Sequence, residues 1–375
     1  MRKQTTTKWM SLGLATMMGI GMLTGCGSST DSKDTDTAAT ADSKAEESAE
    51  TETETDSEQY ADTITIVWYP NESADTYTDA REEVAKLVKQ ATGKEVEQKL
   101  TTDYTISIEA ISSGNAQIGC CFGAEGYVQA KESNDAVNPL FTESGESGTL
   151  DDAMYYSFFA VKDEDAKEYE ADGGYSIDNI QGKTMSFVAD SSTSGFKVPT
   201  NNILALFTKK SGWEDLTVDD LMEGGEDALF SEVLFGGSHQ GSAYNLLSGK
   251  ADVAAFCNTE LDTYAELAEG EDAQVGSVYS IKEGADAPFD TLEGEKYTVI
   301  SSTPVMNGPF LYNGDTLSPE DAQAIIDLFT SDEVANNPLM FYEEGSDVNG
   351  IYEKSGDMHF VEVEDSWYDP IREME

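Results

Sequence analysis

Residues 190–195 read Asp-Ser-Ser-Thr-Ser-Gly, so several hydroxyl groups and a glycine follow one another in one short segment. The segment comes directly after an apolar run at 184–188 and before a helical pattern. At the start of a helix the backbone N–H groups lack intrahelical partners and the helix dipole is positive, while Gly195 permits close approach of a ligand. The segment can therefore cradle an anion. Segments of this composition also serve as plain helix caps, and the alternative stays open on these residues alone.

Strand and helix patterns alternate in the chain that leads to this segment, as they do in α/β proteins. The first half is predicted to contain strand 63–69, helix 80–91, strand 96–100, helix 104–113 and strand 117–122. We expect Ser73 or Asp75 to cap the first helix and Gly93 to end it. This βαβαβ order predicts an open parallel sheet.

The alternation restarts near residue 162 and predicts a second lobe. Its elements are strand 184–188, helix 201–210, helix 242–247, strand 251–257 and strand 297–301. A further helix is predicted to begin at Ser318, with Pro319 at its first position. The chain beyond Tyr60 exceeds one typical domain. Open sheets present loops and helix N-termini at their carboxyl edges, so we expect a binding cleft between two lobes.

The amino-terminal residues resemble a bacterial lipoprotein signal. A basic start precedes an apolar run at 10–23, which is too short and too rich in glycine to span a membrane. The run ends in Leu23-Thr24-Gly25-Cys26, which resembles the lipobox in which the cysteine is acylated and becomes the new N-terminus. We expect 1–25 to be the signal peptide and Cys26 the lipidated residue. An ordinary secretory signal with a chance cysteine is the alternative.

Residues 26–60 are predicted to be a lipid-anchored, acidic and disordered tether. The chain from Gly27 to Gln59 has no large apolar residue, so it cannot bury enough surface to offset the entropy of ordering. Acidic repeats such as Glu-Thr-Glu-Thr-Glu at 50–54 repel one another and keep the segment extended.

Charge and cysteine content exclude several functions. The formal net charge of −51 argues against nucleic-acid binding, and an anion would have to be held by oriented dipoles instead of a bulk positive field. Besides Cys26, the thiols are Cys120, Cys121 and Cys257, for which we expect buried free thiols; a strained vicinal disulfide is the alternative. No metal-ligand spacing involves the histidines, so no metal site is predicted.

Several motifs together resemble the phosphonate, phosphite and phosphate substrate-binding proteins of ABC importers, from about Thr63 to about Phe329. The motifs are Asp103-Tyr104, Tyr155-Tyr156-Ser157, Ser192-Thr193-Ser194-Gly195-Phe196 with Pro199, Ser238-His239, and Gly249-Lys250-Ala251-Asp252. The resemblance implies a two-lobed, periplasmic-binding-protein-like fold of type II, in which each lobe is a mainly parallel sheet flanked by helices. Residues 61–160 would form the first part of lobe 1, 161–302 lobe 2, and 303–375 the return to lobe 1. The two hinge crossings would be 155–161 and 297–305.

The resemblance also assigns roles to residues. Tyr104 and Tyr155 would be hydroxyl donors and walls of the cleft, Ser192 to Ser194 would hold the oxyanion, and His239 would donate from the second lobe. Glu260 would face a ligand ammonium. As alternatives, the tyrosines are core aromatics and Glu260 is a surface charge.

The chain departs from the family pattern at two places. Family members that bind an amine-bearing ligand have a second carboxylate where this chain has Asn307-Gly308-Pro309, and Gln117 replaces a usual aspartate. Since a buried ammonium needs paired charge, amine-bearing phosphonates are not expected to be the best ligands.

The implied function is capture of a small phosphorus oxyanion outside the cytoplasm, and delivery to an ABC permease with its ATPase. The resemblance implies a monomer, anchored to the cell membrane by its lipid, with no cofactor and no enzymatic activity. A ligand-sensing surface module is one alternative. A hydrolase with a Ser or Cys nucleophile and His239 as its base is another, although no Gly-x-Ser-x-Gly motif occurs.

Overall fold

The structure, a computed structural model, describes residues 60–71, 77–171, 173–343, 345–346 and 348–374. The predictions about the signal peptide, Cys26 and the tether lie outside the described residues. The strands are β1 (Thr63–Trp68), β2 (Glu95–Leu100), β3 (Ile118–Cys120), β4 (Val137–Glu143), β5 (Met154–Lys162), β6 (Glu170–Ala171), β7 (Gly174–Tyr175), β8 (Thr184–Phe187), β9 (Glu232–Phe235), β10 (Val253–Cys257), β11 (Ala265–Glu269), β12 (Val278–Ile281), β13 (Lys296–Met306), β14 (Phe310–Asn313), β15 (Phe341–Tyr342), β16 (Tyr352–Glu353) and β17 (Phe360–Glu362).

Helices follow most of the parallel strands. They are α1 (Thr78–Thr92), α2 (Tyr104–Ser112), α3 (Ala124–Ser133), α4 (Val198–Phe207), α5 (Val218–Leu221), α6 (His239–Leu247), α7 (Pro319–Phe329), α8 (Asp332–Ala335) and α9 (Asp369–Arg372). A π-helical turn, Thr193–Lys197, continues directly into α4. Among the described residues, no helix has both the length and the apolar character required to cross a membrane.

The first lobe contains a sheet with strand order β17-β4-β14-β3-β1-β2. Successive side chains of a strand point to opposite faces, so Ile64 and Ile66 of β1 pack with α1 and α7 on one face. Val67 packs with α2 and α3 on the other face. Helices therefore cover both faces of this sheet.

The second lobe has the strand order β11-β12-β13-β5-β10-β8-β9. Phe159 and Val161 of β5 pack with α4 on one face, whereas Phe158 and Ala160 pack with α6 on the other. This alternation explains why the central strands are apolar throughout their length.

The expectation of mainly parallel sheets is wrong in detail. Among the described strands, the pairs β1–β2, β1–β3, β8–β10 and β8–β9 are parallel, and the other pairs of the two large sheets are antiparallel. The pairs β1–β2, β1–β3 and β8–β10 join strands that the sequence pattern predicted, whereas β9 was not predicted. The antiparallel strands either carry the chain between the two lobes or belong to hairpins at the edges of the sheets.

The chain changes sheet before β5 and after β13. β5 and β13 pair antiparallel with each other, from Met154↔Met306 to Lys162↔Tyr297, and both belong to the second sheet. The expected lobe boundaries at 160 and 302 therefore fall inside these strands. The connections between sheets are the segments from Glu143 to Met154 and from Met306 to Phe310.

The predicted helix ends are only partly confirmed. Gly93 ends α1 in the left-handed conformation, with φ of 70°, and Ser318 caps α7 by accepting a hydrogen bond from the Asp321 N–H at 3.1 Å. The N-cap position of α1 is Tyr77, and the predicted caps Ser73 and Asp75 lie outside the described residues. α4 begins at Val198, three residues before the predicted start at 201, because the π-helical turn leads into it.

Candidate functional site

The amino ends of several helical segments meet between the two lobes. These segments are α2, α3, the π-helical turn before α4, and α6, and they begin at Tyr104, Ala124, Thr193 and His239. Contacts join them across the lobes: the Tyr69 hydroxyl donates to the Ser191 carbonyl at 2.9 Å, and the Glu125 N–H donates to Thr193 Oγ1 at 2.9 Å. Helix N-termini are positive, so this arrangement favours an anion in a chain of strongly negative net charge.

The hydroxyl segment Ser192, Thr193 and Ser194 is buried at the centre of this meeting point, with each residue at most 2% exposed. Ser192 caps the π-helical turn, because its Oγ accepts a hydrogen bond from the Gly195 N–H at 3.1 Å. A Cβ at Gly195 would stand 2.2 Å from Val188 Cγ2, so only glycine fits there. The capping and the anion-binding interpretations are compatible, because a hydroxyl that accepts one hydrogen bond can still donate another.

Ser194 lies beside Tyr155 and Cys257. Its hydroxyl lies close to the Tyr155 hydroxyl and the Cys257 thiol, and its carbonyl accepts from the Ser157 hydroxyl at 2.7 Å. Burial raises the pKa of both the Tyr155 hydroxyl and the Cys257 thiol, so both are protonated at neutral pH. The site thus offers neutral hydrogen-bond donors on strands β5 and β10.

His239 is the first residue of α6 and is 4% exposed. Its Nδ1 accepts a hydrogen bond from the Cys257 N–H at 3.1 Å, which leaves the proton of the neutral ring on Nε2. Burial lowers the pKa of His239 to about 3. The imidazole is therefore a neutral Nε2–H donor at physiological pH.

Tyr104 is 3% exposed and fixed by its neighbours. Its hydroxyl donates to Asn71 Oδ1 at 3.2 Å, and Asn71 Nδ2 donates in turn to the Cys121 carbonyl at 2.9 Å. The Tyr104 ring packs edge-on against Tyr69, with ring centroids 4.4 Å apart. Burial raises the pKa of Tyr104, and the Glu260 carboxylate contributes to that rise.

Glu260 lies on a single 3₁₀ turn, Thr259–Leu261, that follows β10. Its carboxylate is close enough to contribute to the raised pKa values of Tyr104, Tyr155 and Cys257. Glu260 is half-buried and lies within electrostatic range of both tyrosines. The structure brings all the predicted ligand residues together: Tyr104, Tyr155, Ser192, Thr193, Ser194, His239 and Glu260.

Sequence reasoning missed several residues of this site. Tyr69, Asn71, Cys121 and Cys257 all lie at or just after the carboxyl ends of strands, and the rule that ligands bind at this edge could have found them. Glu143, at the end of β4, had no recognisable signal. Burial raises the pKa of Glu143 to about 8.

The two departures from the family pattern have structural explanations. A Cβ at Gly308 would lie 1.8 Å from the Phe122 carbonyl oxygen, so no acidic side chain fits at this position. The Gln117 amide accepts from the Thr65 N–H at 2.8 Å and donates to the Gly114 carbonyl at 2.9 Å. Gln117 therefore fixes the start of β3 against β1.

Cys120, Cys121 and Cys257 are free thiols in the structure, as predicted. Burial raises the pKa of the Cys120 thiol and of the Cys121 thiol, which makes them poor nucleophiles. Within the described ranges, no three His, Cys, Asp or Glu side chains are grouped so that they could hold a metal ion.

Comparison with protein families places this arrangement among known proteins. Residues 66–368 match the family described as "ABC transporter, phosphonate, periplasmic substrate-binding protein". The chain belongs to this phosphonate-binding family. It is accordingly an extracytoplasmic substrate-binding component of an ABC importer of the phosphonate and phosphate class, as predicted.

Individual relatives agree with this assignment. The phosphate-import protein PhnD of Mycolicibacterium smegmatis is 26% identical over 319 residues, which cover 84% of this chain and 86% of the relative. A binding-protein component of an ABC phosphonate transporter from Pseudomonas aeruginosa superposes with a TM-score of 0.56 at 18% identity, covering 83% and 85% of the two chains. PhnD1 of Prochlorococcus marinus, solved with methylphosphonate, gives 0.57 at 13% identity, with coverage of 84% and 97%. These structures confirm the predicted two-lobed fold of the periplasmic-binding-protein type.

Proposed function

We propose that this protein is a lipid-anchored binding protein that captures a small phosphorus oxyanion between its lobes and delivers it to an ABC permease and its ATPase. The ligand is phosphate, phosphite or a phosphonate. Ser192, Thr193, Ser194 and His239 hold its oxygens, while Tyr104 and Tyr155 enclose it. Glu260 borders the substituent on phosphorus.

The observation that carries this proposal is the convergence of helix amino ends on the hydroxyl segment. Oriented N–H groups stabilise an anion without a lysine or arginine in direct contact. The Nε2–H of His239 adds a donor without adding a positive charge, because Nδ1 already accepts from the Cys257 N–H. A tetrahedral oxyanion with several acceptor oxygens suits such a set of donors.

Ligand release follows from separation of the lobes. The hydrogen bonds Tyr69–Ser191 and Glu125–Thr193 join the two lobes directly beside the hydroxyl segment. An oxyanion that bridges Tyr104 and the segment 192–194 favours the arrangement in which these contacts exist. Docking on the permease would favour the separated form and release the ligand.

Attachment to the membrane rests on Cys26 and the tether behind it. Acylation at Cys26 supplies more than one lipid chain, which gives stable anchoring. The acidic tether of residues 27–59 lets the folded lobes move away from the membrane surface to collect ligand.

Calorimetry and mass spectrometry of the full-length chain, purified in detergent, test the proposal. Native mass spectrometry should identify a phosphorus oxyanion that co-purifies with the protein, and calorimetry should show binding of phosphate, phosphite or a phosphonate but not of acetate. Ser192→Ala should weaken binding by about ten- to a hundredfold, because it removes a hydrogen bond to a charged oxygen. Absence of binding to every phosphorus oxyanion would refute the proposal.

The hydrolase alternative is disfavoured by the protonation of its supposed base. A histidine base needs a free lone pair facing the nucleophile, but Nδ1 of His239 is occupied by the Cys257 N–H and Nε2 carries the proton. With its pKa lowered to about 3 by burial, His239 accepts a proton poorly at neutral pH.

A further inference from the structure

Glu143 and Tyr352 form a polar pair that the proposed roles do not use. Glu143 ends strand β4 and is 9% exposed. Its backbone carbonyl accepts a hydrogen bond from Asn307 Nδ2 at 3.1 Å, so the residue is fixed at the connection between the lobes. Its carboxyl oxygen Oε2 accepts a hydrogen bond from the Thr142 hydroxyl at 3.4 Å, and the Tyr352 hydroxyl lies close to the carboxyl group.

Tyr352 comes from the carboxyl-terminal segment of the chain. Its ring stacks on Phe341 with centroids 5.7 Å apart and meets Phe360 edge-on at 5.8 Å. These contacts hold the hydroxyl near the Glu143 carboxyl group and the Cys121 thiol, because Phe360 is the ladder partner of Glu143. The pair is therefore positioned by packing from distant parts of the chain.

Cys121 connects the pair to the candidate site. Its carbonyl accepts from Asn71, whose side chain also accepts from the Tyr104 hydroxyl. Cys121 adopts a φ of 58°, a left-handed conformation that is unfavourable for a residue with a side chain and is common at functional sites. Glu143 ends its strand at the sheet edge that carries Asn71 and Cys121, and Glu143 and Glu260 are both within electrostatic range of Tyr155. The pair thus adjoins the ligand space beside Tyr104 and Tyr155.

The charge state of the pair bears on what it can recognise. The titratable and charged groups around it are Cys121, Tyr155, Tyr368, Glu260 and Arg81. Burial raises the pKa of Glu143 to about 8, so the carboxyl group is mostly protonated at neutral pH. A protonated carboxyl group both donates and accepts a hydrogen bond, and it does not repel an oxyanion.

We propose that Glu143 and Tyr352 are specificity-determining residues that select ligands whose fourth substituent on phosphorus carries a hydrogen-bonding oxygen. Phosphate and hydroxyalkyl phosphonates have such a substituent, whereas methylphosphonate and phosphite do not. The inference rests on the proposed function, because it assumes that the other oxygens occupy the segment 192–194. A methyl group would leave buried polar groups without partners, and sites built to form hydrogen bonds discriminate strongly against such analogues.

Phosphate and methylphosphonate provide a matched test, because they differ only by an oxygen in place of a methyl group. Calorimetry on the full-length chain in detergent compares these two with 2-hydroxyethylphosphonate and 2-aminoethylphosphonate. We expect phosphate, 2-hydroxyethylphosphonate or both to bind at least about tenfold more tightly than methylphosphonate. In Tyr352→Phe and in Glu143→Gln this ratio should fall to about threefold or less.

Two control variants test whether the change in the affinity ratio is specific to Glu143 and Tyr352. Tyr312→Phe, on strand β14, and Glu362→Gln, on the exposed edge strand β17, should retain the wild-type ratio. The inference is overturned if wild-type protein binds methylphosphonate as tightly as both oxygen-bearing ligands, or if the folded Tyr352→Phe variant keeps the wild-type ratio. It is also overturned if 2-aminoethylphosphonate binds at least about tenfold more tightly than all the others, since the site would then select a cation.

Failure of the proposed function gives a different result. In that case no phosphorus oxyanion binds the wild-type protein at all, and the ratio between ligands has no meaning. Ser192→Ala distinguishes the two roles further, because it should weaken phosphate and methylphosphonate by similar factors and leave their ratio unchanged.

Discussion

The Oγ1 atom of Thr193, in the second lobe, accepts a hydrogen bond at 2.9 Å from the backbone N–H of Glu125, in the first lobe. Helix α3 begins at this point, and its N-cap position is Gly123, which has no side chain. A residue of the opposite lobe therefore supplies the side-chain acceptor that an N-cap residue usually provides. Separation of the lobes would therefore remove this cap from α3.

Replacing Thr193 by Val tests this double role. The change keeps the shape of the side chain but removes both the acceptor for Glu125 and the donor for the ligand. We expect the affinity for the oxyanion to fall by about ten- to a hundredfold in calorimetry. Thr193→Ser keeps the hydroxyl and should stay within about threefold of wild type. Equal affinities for the Val variant and the wild type would place the ligand elsewhere.

His239 should remain neutral throughout the physiological range. Because burial lowers its pKa to about 3, NMR spectra of ¹⁵N-labelled protein should show one ring tautomer, protonated at Nε2, with no titration between pH 5 and 8. An Nδ1-protonated ring, or a titration midpoint within that range, would contradict this description.

Glu143 should make the folded protein less stable as the pH rises. The folded state keeps the Glu143 proton up to about pH 8, whereas the unfolded chain releases it near the ordinary pKa of 4.5, so the folded state binds more protons between these values. His239 has the opposite effect: its stabilising contribution is lost as the pH falls from 6.5 towards 3. Between pH 6.5 and 8, Glu143 is therefore the one of these two residues whose titration changes the free energy of unfolding.

The measurement compares urea unfolding of wild type and Glu143→Gln. In that window the wild-type free energy of unfolding should fall, relative to the variant, by up to about 1.4 kcal/mol per pH unit. Glu362→Gln, an exposed change on the neighbouring strand β17, should follow the wild type. Parallel pH profiles for wild type and Glu143→Gln would show that Glu143 titrates normally.

Gly308→Ala should destabilise the fold. The added Cβ would stand 1.8 Å from the Phe122 carbonyl oxygen, which belongs to the backbone and cannot rotate away. We expect a loss of about 1–3 kcal/mol or more in the free energy of unfolding. Gly225→Ala, which has nothing within 4 Å of its new Cβ, should change stability little. A stable Gly308→Ala protein would mean that the 307–309 segment can move and could accept an acidic side chain.

Cys26→Ala should release the protein from the membrane into the medium. The tether separates the anchor from the lobes, so ligand affinity should not change. Cell fractionation followed by calorimetry measures both effects. Retention of the variant in the membrane fraction would contradict lipidation at Cys26.

The sequence predicted the βαβ units well because their signals are local. The β-branched run at β1, the helical spacing of α1 and the Ser-Thr-Ser-Gly segment each depend on neighbouring residues. The antiparallel strands β14 and β17 could not be placed in the first sheet in the same way, because they return to it from distant parts of the chain. Their position depends on packing against β3 and β4, which short-range periodicity does not encode.

The same division applies to the site. Ser192 to Ser194 could be named because they follow a predicted strand and precede a helical pattern, whereas His239 was named through the resemblance to the family. Glu143 and Tyr352 meet through long-range packing, since Tyr352 reaches the end of β4 from the carboxyl-terminal segment. Tyr69 was read as part of a strand, but its hydroxyl crosses between the lobes to Ser191. Contacts across a cleft depend on tertiary structure, so the spacing of residues gave no indication of them.

The pairing of β5 with β13 restricts how the protein can move. The chain enters β5 at Met154 and leaves β13 at Met306, and these residues are partners in the ladder. Both strands that join the lobes therefore emerge side by side, about 5 Å apart, at one end of one sheet. Two adjacent connections of this kind allow the lobes to rotate about a single axis. They resist sliding or twisting of one lobe past the other. If the proposed function is correct, we therefore expect every opening to expose the ligand on the same side.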